Sequence, residues 1–149
     1  MGYELIEVKE PADWQAFHAI RRRELFEARG RFGIYSENHP SDVAANAHPY
    51  LLKLDGMPLG TTRLDVRDDG TAIFRLVAIT ADEQGKGHGR AMGQLVEDRA
   101  RAFGVTTLYV NAADSAVGFY RQTGWTDYAW DPSELVDLAA TAVQMTKRI

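Results

Sequence analysis

Polar and hydrophobic positions fall into short blocks whose period switches between two and 3.6, the pattern of a mixed α/β chain. Tyr3 to Val8 alternates as a strand, and Pro11 with Asp13 opens a helix carrying Trp14, Phe17, Ile20 and Leu25 on its apolar side. Gly30 to Ala47 has no period and reads as a loop or short helix, of the kind that often faces a substrate. From Tyr50 the period is two: Tyr50, Leu52 and Leu54 share a face, Asp55-Gly56 signals a hairpin turn, and Gly60 to Val66 returns as a strand. After the turn at Asp68-Asp69-Gly70, Ala72 to Ile79 is apolar on both faces except at Arg75, as a central strand covered on both sides requires.

The next block changes period again. Gly87 to Phe103 carries a helical stripe of Met92, Leu95, Val96, Ala100 and Phe103, with Gly104 positioned to cap its end. Thr107 to Val110 is a short strand, Asp114 is placed to cap a helix reaching Gln122, and Gly124 ends it. Trp125 to Trp130 and Ala142 to Lys147 read as two closing strands. There is no repeat, low-complexity tract or linker, so a single domain is expected over residues 1–149.

Composition then removes whole classes of function. With no cysteine there is no disulfide framework, Cys-ligated zinc, iron–sulfur cluster or thiol nucleophile. A net charge of −4 opposes general nucleic-acid or membrane-surface binding, both of which need a basic face. No apolar run approaches the roughly 20 residues needed to span a bilayer, and the first ten residues lack a signal peptide's basic start, so the cytoplasm is the expected compartment. The Met1-Gly2 start is no myristoylation signal, because Ile6 stands where Ser or Thr is needed.

The candidate chemistry lies between the central strand and the long helix, in Gln84-Gly85-Lys86-Gly87-His88-Gly89-Arg90. Glycines at alternate positions permit positive φ and close backbone approach, while a helix N-terminus offers unpaired N–H groups and partial positive charge. Together they form an anion site suited to phosphate or pyrophosphate, with Lys86 and Arg90 adding cations to an acidic chain. Two nucleotide readings fail on spacing. The glycines run G-x-G-x-G rather than G-x-G-x-x-G, and Lys86 is followed by Gly87 where a Walker A loop needs Ser or Thr.

This loop resembles the Q/R-x-x-G-x-G/A motif of the GNAT superfamily of N-acetyltransferases, and it stands in the family's place between a buried strand and a helix. Leu108-Tyr109-Val110-Asn111-Ala112, then Ala116-Val117-Gly118-Phe119-Tyr120, then Gly124-Trp125 resemble the family's strand, Asn-Ala, Phe-Tyr and Gly-Phe pattern, and Gln144 to Lys147 its last strand. The resemblance implies a mixed, mostly antiparallel sheet with helices on both faces and a splayed parallel strand pair that forms an acetyl-CoA cleft. It implies direct transfer of the acetyl group to a primary amine of a small molecule or peptide, which agrees with the absence of a thiol nucleophile.

By the same resemblance the backbone of Val77, Ala78 and Ile79 pairs with the pantetheine arm, and the loop from Gln84 through Gly85, Lys86, Gly87, His88 and Gly89 to Arg90 holds the pyrophosphate. A backbone N–H near Val77 is placed to stabilise the thioester oxyanion. Tyr120 is expected to point its hydroxyl at the CoA sulfur and to protonate or position it. Asn111 can bond the CoA arm or the acceptor, or be a plain strand-end Asn. Phe74 and Arg75 stand where some members have a catalytic Glu, leaving Glu24, Asp65 and His48 as candidate bases.

The remaining features read as structural. His39-Pro40 and His48-Pro49 have poor ligand spacing and read as two turns, so no metal is expected. Arg21-Arg22-Arg23 reads as a solvated helix face, and Trp125, Tyr128 and Trp130 as packing, a homodimer surface or one wall of the acceptor pocket. Two other functions compete with acetyl transfer: a non-catalytic acyl-CoA sensor on the same fold, and a nucleotide-binding protein using the same glycine loop.

Overall fold

The computed structural model describes residues 2–149. Its strands are β1 (Tyr3–Glu7), β2 (Ala47–Leu54), β3 (Met57–Val66), β4 (Thr71–Ile79), β5 (Thr107–Ala112), β6 (Thr126–Asp127) and β7 (Val143–Arg148), in one sheet of order β1-β2-β3-β4-β5-β7-β6. All pairings among the described residues are antiparallel except β4 with β5. The β2–β3 hairpin turns through Asp55 at φ 51° and Gly56 at φ 85°, the two left-handed residues that a tight primed turn demands.

Helices α1 (Pro11–Arg21), α2 (His88–Ala102) and α3 (Val117–Gln122) cover the sheet. Against one face, Met92, Val96 and Ala100 of α2 pack with Tyr50, Leu52, Leu64, Phe74, Leu108 and Val110, and α3 adds Val117 and Tyr120. Against the other, Phe17 and Ile20 of α1 pack with Leu51 and Ala78. Each such apolar side chain contributes about 1.5–3 kcal/mol by leaving water, so α1 and α2 are held by their buried stripes. Where α1 ends, its backbone widens into a π-helical turn over Arg22–Phe26, a short 3₁₀ turn follows, and Gly30 stops it at φ 75°.

Four local expectations are corrected. His39-Pro40 is a turn, but His48-Pro49 lies inside β2. Proline is tolerated there because it stands at the end of the β1 pairing, opposite Val8: its carbonyl still accepts from Val8 N at 2.9 Å, and only the last bond of that ladder lacks a donor. Asp114 does not cap α3. It sits inside a 3₁₀ turn that precedes a helix beginning only at Val117. The stretch from Trp125 to Trp130 keeps only Thr126 and Asp127 in the sheet, because Trp125 turns into the core against Phe74 and Tyr120. Finally, Arg21 is 2% exposed rather than solvated, and donates to both oxygens of Asp42 at 2.9 and 3.0 Å.

Candidate active site

The site begins as a defect in β4. Opposite Thr62 of β3 stand two residues, Leu76 and Val77, because the register steps from Arg63↔Arg75 to Thr61↔Ala78. Leu76 absorbs the extra residue at φ 51°, a costly conformation for a leucine, and Thr62 Oγ1 donates to the Arg75 carbonyl at 2.9 Å. One inserted residue inverts the alternation of every side chain beyond it. Ala72 and Phe74 pack on the α2 side before the bulge, Val77 and Ile79 pack there after it, and Leu76 and Ala78 join the α1 side.

The parallel pairing fails at the same place. β4 and β5 are in register from Thr71↔Thr107 to Phe74↔Val110 and no further, while β5 stays paired with β7 as far as Ala112. A cleft of about 1140 Å³ opens where the strands part. Val77 and Ile79 line it, as do Gln84, Gly85, Gly87, His88, Gly89, Arg90, Asn111 and Tyr120. Ala78 does not, since its side chain is buried under α1, and Lys86 does not, since its ammonium pairs with Glu83 at 3.1 Å.

The glycine loop delivers the backbone geometry that its residues suggested. Gly85 and Gly87 stand at φ 78° and 87°, and Gly87 is the N-cap from which α2 departs without a side-chain cap. The first N–H groups of α2 are therefore left without a capping side chain. Gln84 braces the loop by donating from Nε2 to the Ile79 carbonyl at 2.9 Å. The His88 ring turns away from the anion position, with Nδ1 2.6 Å from the Tyr3 hydroxyl and Nε2 3.2 Å from Glu83. A Cβ at Gly89 would stand 3.4 Å from the Phe119 ring, in van der Waals contact, so the helix start passes close to α3.

Tyr120 is buried between Phe119 and Trp125, each 5.4 Å away edge to face, and lines the cleft. Burial pushes its phenol well above the ordinary range, so it stays protonated and is a donor at any working pH. Asn111 is held by Gln144, whose Nε2 donates to Asn111 Oδ1 at 2.9 Å and to the Asp131 carbonyl at 2.6 Å. With its oxygen engaged, Asn111 has its NH₂ group left to donate. Trp130 stacks on Tyr109 and donates from Nε1 to the Val110 carbonyl at 3.1 Å, at the point where the strands part.

None of the candidate bases lines the cleft. Glu24 accepts from Ala81 N at 3.1 Å and from Arg23, Asp65 is gripped by Arg63 and Arg75, and His48 packs on Phe103 with Nδ1 3.2 Å from Glu7. Leu25 and Arg29 from one side, and Leu138, Ala139, Thr141 and Ala142 from the other, line it instead. Arg29, Leu138, Ala139 and Thr141 come from stretches with no hydrophobic period, so no local signal marked them, whereas Leu25 and Ala142 read only as parts of a helix and a strand. No cluster of three or more His, Asp or Glu able to hold a metal occurs among the described residues.

Comparison with known proteins gives this geometry a family. Residues 14–125 match the model of the acetyltransferase (GNAT) family. The chain belongs to that family. Over 99% of both chains it is similar, at 25% identity and TM-score 0.81, to a protein of known structure assigned as an N-acetyltransferase from Lactobacillus plantarum. The ribosomal-protein-S18-alanine N-acetyltransferase from Escherichia coli shares the fold at 21% identity and TM-score 0.73, over 99% of this chain and 94% of that one. N-acetylglutamate synthase from Neisseria gonorrhoeae, whose structure is a complex with coenzyme A and N-acetyl-glutamate, shares it at 15% identity and TM-score 0.74, over 98% of this chain and 35% of that one. The GNAT fold carries acyl-CoA-dependent acetyl transfer. No helix among the described residues is long and apolar enough to cross a membrane.

Proposed function

We propose that this GNAT chain transfers the acetyl group of acetyl-CoA directly to a primary amine. The observation that carries the reading is the coincidence of three features in one cleft: the bulge at Leu76, the end of β4–β5 pairing at Phe74↔Val110, and the uncapped N-terminus of α2. Their fit to acetyl-CoA is chemical. Beyond Phe74 the β5-facing edge of β4 has no strand partner and suits an amide-bearing arm, while Gly85, Gly87 and the first N–H groups of α2 suit a pyrophosphate, with Arg90 as the cation facing it.

When bound, acetyl-CoA supplies an activated thioester that an amine attacks without an acyl-enzyme. The N–H groups at the bulge, near Val77, are positioned for the carbonyl oxygen on which negative charge develops. Tyr120 donates its hydroxyl proton toward the departing sulfur. Full transfer from an ordinary phenol to an ordinary thiolate is uphill by roughly 2 kcal/mol, and burial of Tyr120 raises that cost unless the buried thiolate is raised equally. Donation of a hydrogen bond in the transition state is thus the main contribution. Asn111 donates its amide to the arm or the acceptor, oriented by Gln144. Glu24 and Asp65 are engaged outside the cleft, Glu83 is held by Lys86 and His88, and Asp114 stands exposed in the turn before α3, so the acceptor ammonium loses its proton to solvent through the cleft mouth. The rate then rises with pH along the acceptor's own titration.

Thiol release from acetyl-CoA across a panel of amines tests the reading, and a non-catalytic sensor would bind acetyl-CoA and release none. Tyr120→Phe should lower kcat by about 10²- to 10³-fold, the scale of one transition-state hydrogen-bond donor, with CoA affinity retained. A thioester with a more acidic thiol should restore part of the loss. Full kcat in the Phe variant would leave Tyr120 as a core residue only.

A further inference from the structure

Because the bulge inverts side-chain alternation, the cleft has two chemically different halves. Val77 and Ile79 face the α2 side with the glycine loop and Arg90, whereas Arg75 and Leu76 face the α1 side. That second half is walled by Leu25 and Arg29, which follow α1, and by Leu138 and Ala139, which precede β7.

Its charges are unequal. Arg21, Arg63 and Arg75 form a chain with Asp42, Asp65 and Glu134, three cations against three anions: Arg21 and Arg63 meet at Asp42, Arg63 and Arg75 at Asp65, and Arg75 grips Glu134 at 2.8 and 3.1 Å. Arg75 therefore brings no free charge to the cleft. Arg29 makes no ion pair or hydrogen bond through its side chain among the described residues. The cleft's own acids lie elsewhere, Glu83 being held by Lys86 and His88 at the glycine loop and Asp114 standing in the turn before α3.

We propose that the acceptor is an amine bearing a carboxylate on the same small molecule, of the amino-acid class with a modest apolar side chain, and that Arg29 receives that carboxylate. The inference rests on the acetyltransferase reading and narrows its acceptor. A diamine or a basic peptide would set a second cation against Arg29 with no carboxylate to offset it. A zwitterion supplies the missing anion, and Leu25, Leu76, Leu138 and Ala139 offer an apolar wall to its side chain.

The test compares L-leucine, leucinamide and isoamylamine as acceptors in thiol-release assays, with wild type, Arg29→Ala and Arg29→Lys. With kcat/KM expressed per free amine, which removes the lower basicity of the amide's α-amine, wild type should favour leucine over leucinamide by about 10- to 100-fold, the scale of one hydrogen bond to a charged group. Arg29→Ala should bring that ratio near one, chiefly through KM, and Arg29→Lys should restore part of it. Calorimetric titration of the CoA-saturated protein with N-acetyl-leucine and N-acetyl-leucinamide reads the same site without turnover. Equal use of acid and amide by wild type, or equal losses for both in Arg29→Ala, overturns the proposal while the acetyltransferase reading stands. A larger loss of affinity for CoA than for dephospho-CoA in Arg29→Ala also overturns it, by assigning Arg29 to a cosubstrate phosphate. Arg29-dependent binding of N-acetyl-leucine without thiol release from any amine supports the carboxylate site and removes the acetyltransferase reading.

Discussion

Gly87 and Gly89 do different work two residues apart. A Cβ at Gly87 meets nothing within 4 Å, so Gly87→Ala costs only left-handed backbone strain, about 1–2 kcal/mol. A Cβ at Gly89 is strained by no positive φ but points toward Phe119 and the cleft, so Gly89→Val should abolish acetyl-CoA binding by calorimetry while melting near wild type. His18 gives a residue-level pH prediction. It is 6% exposed, lies 2.6 Å from the Tyr35 hydroxyl and stacks on Trp14, and burial lowers its pKa below the usual 6.5. The unfolded chain therefore takes up this proton at higher pH than the folded one, so the contribution is full above about pH 6.5 and is lost as pH falls toward the lowered folded value. The melting temperature should drop across that window, and His18→Gln should flatten the drop.

At the scale of elements, the bulge is what makes β4 useful. An uninterrupted strand would leave Arg75 and Val77 on one face and continue its pairing with β5; the extra residue sends Val77 to the α2 side and ends the ladder. Amides that lack a strand partner exchange readily with solvent. Those of residues 75–79 that face β5 should therefore exchange faster than those of residues 72–74, and should slow by an order of magnitude or more on addition of acetyl-CoA. Hydrogen exchange followed by NMR measures this directly. No slowing anywhere in residues 75–79 would place the pantetheine arm elsewhere.

Across the whole molecule, the ionic chain from Arg21 to Glu134 ties α1, the segment after it, β3, β4 and the β6–β7 connection into one body. Asp42 is its pivot: burial pushes its carboxyl up, but Arg21 and Arg63 outweigh burial and hold it below the ordinary value. Its removal leaves two buried guanidinium groups short of a partner, so Asp42→Asn should cost about 3–5 kcal/mol in urea unfolding. Glu134 is likewise lowered by its hydrogen bonds from Arg75. Both carboxylates release their protons more readily folded than unfolded, so their contribution is present above about pH 4 and is lost as pH falls through the folded values. A second loss of melting temperature below about pH 4, smaller in an Asp42→Asn and Glu134→Gln double variant because Asp69 and Glu83 are lowered as well, is the expected signature.

Local chemistry made much of this protein legible in the order of its residues. The period-two blocks placed β1, β2 and β3, the run apolar on both faces placed β4, the stripe from Met92 to Ala100 placed α2, and the alternating glycines placed a left-handed loop at a helix start, because each depends on neighbours in the chain. Tertiary packing decided the rest. Arg21 reads as solvated beside Arg22 and Arg23 until Asp42 arrives from a loop, and Pro49 reads as a turn until the β1 pairing is seen to end beside it. The bulge at Leu76 has no glycine to announce it, and Arg29 and Leu138, 109 residues apart in the chain, line one cleft only in the folded protein. Interactions between residues far apart in the chain leave no period behind, so the glycine-loop side of the cleft could be read from sequence and the side lined by Arg29 and Leu138 only from the fold.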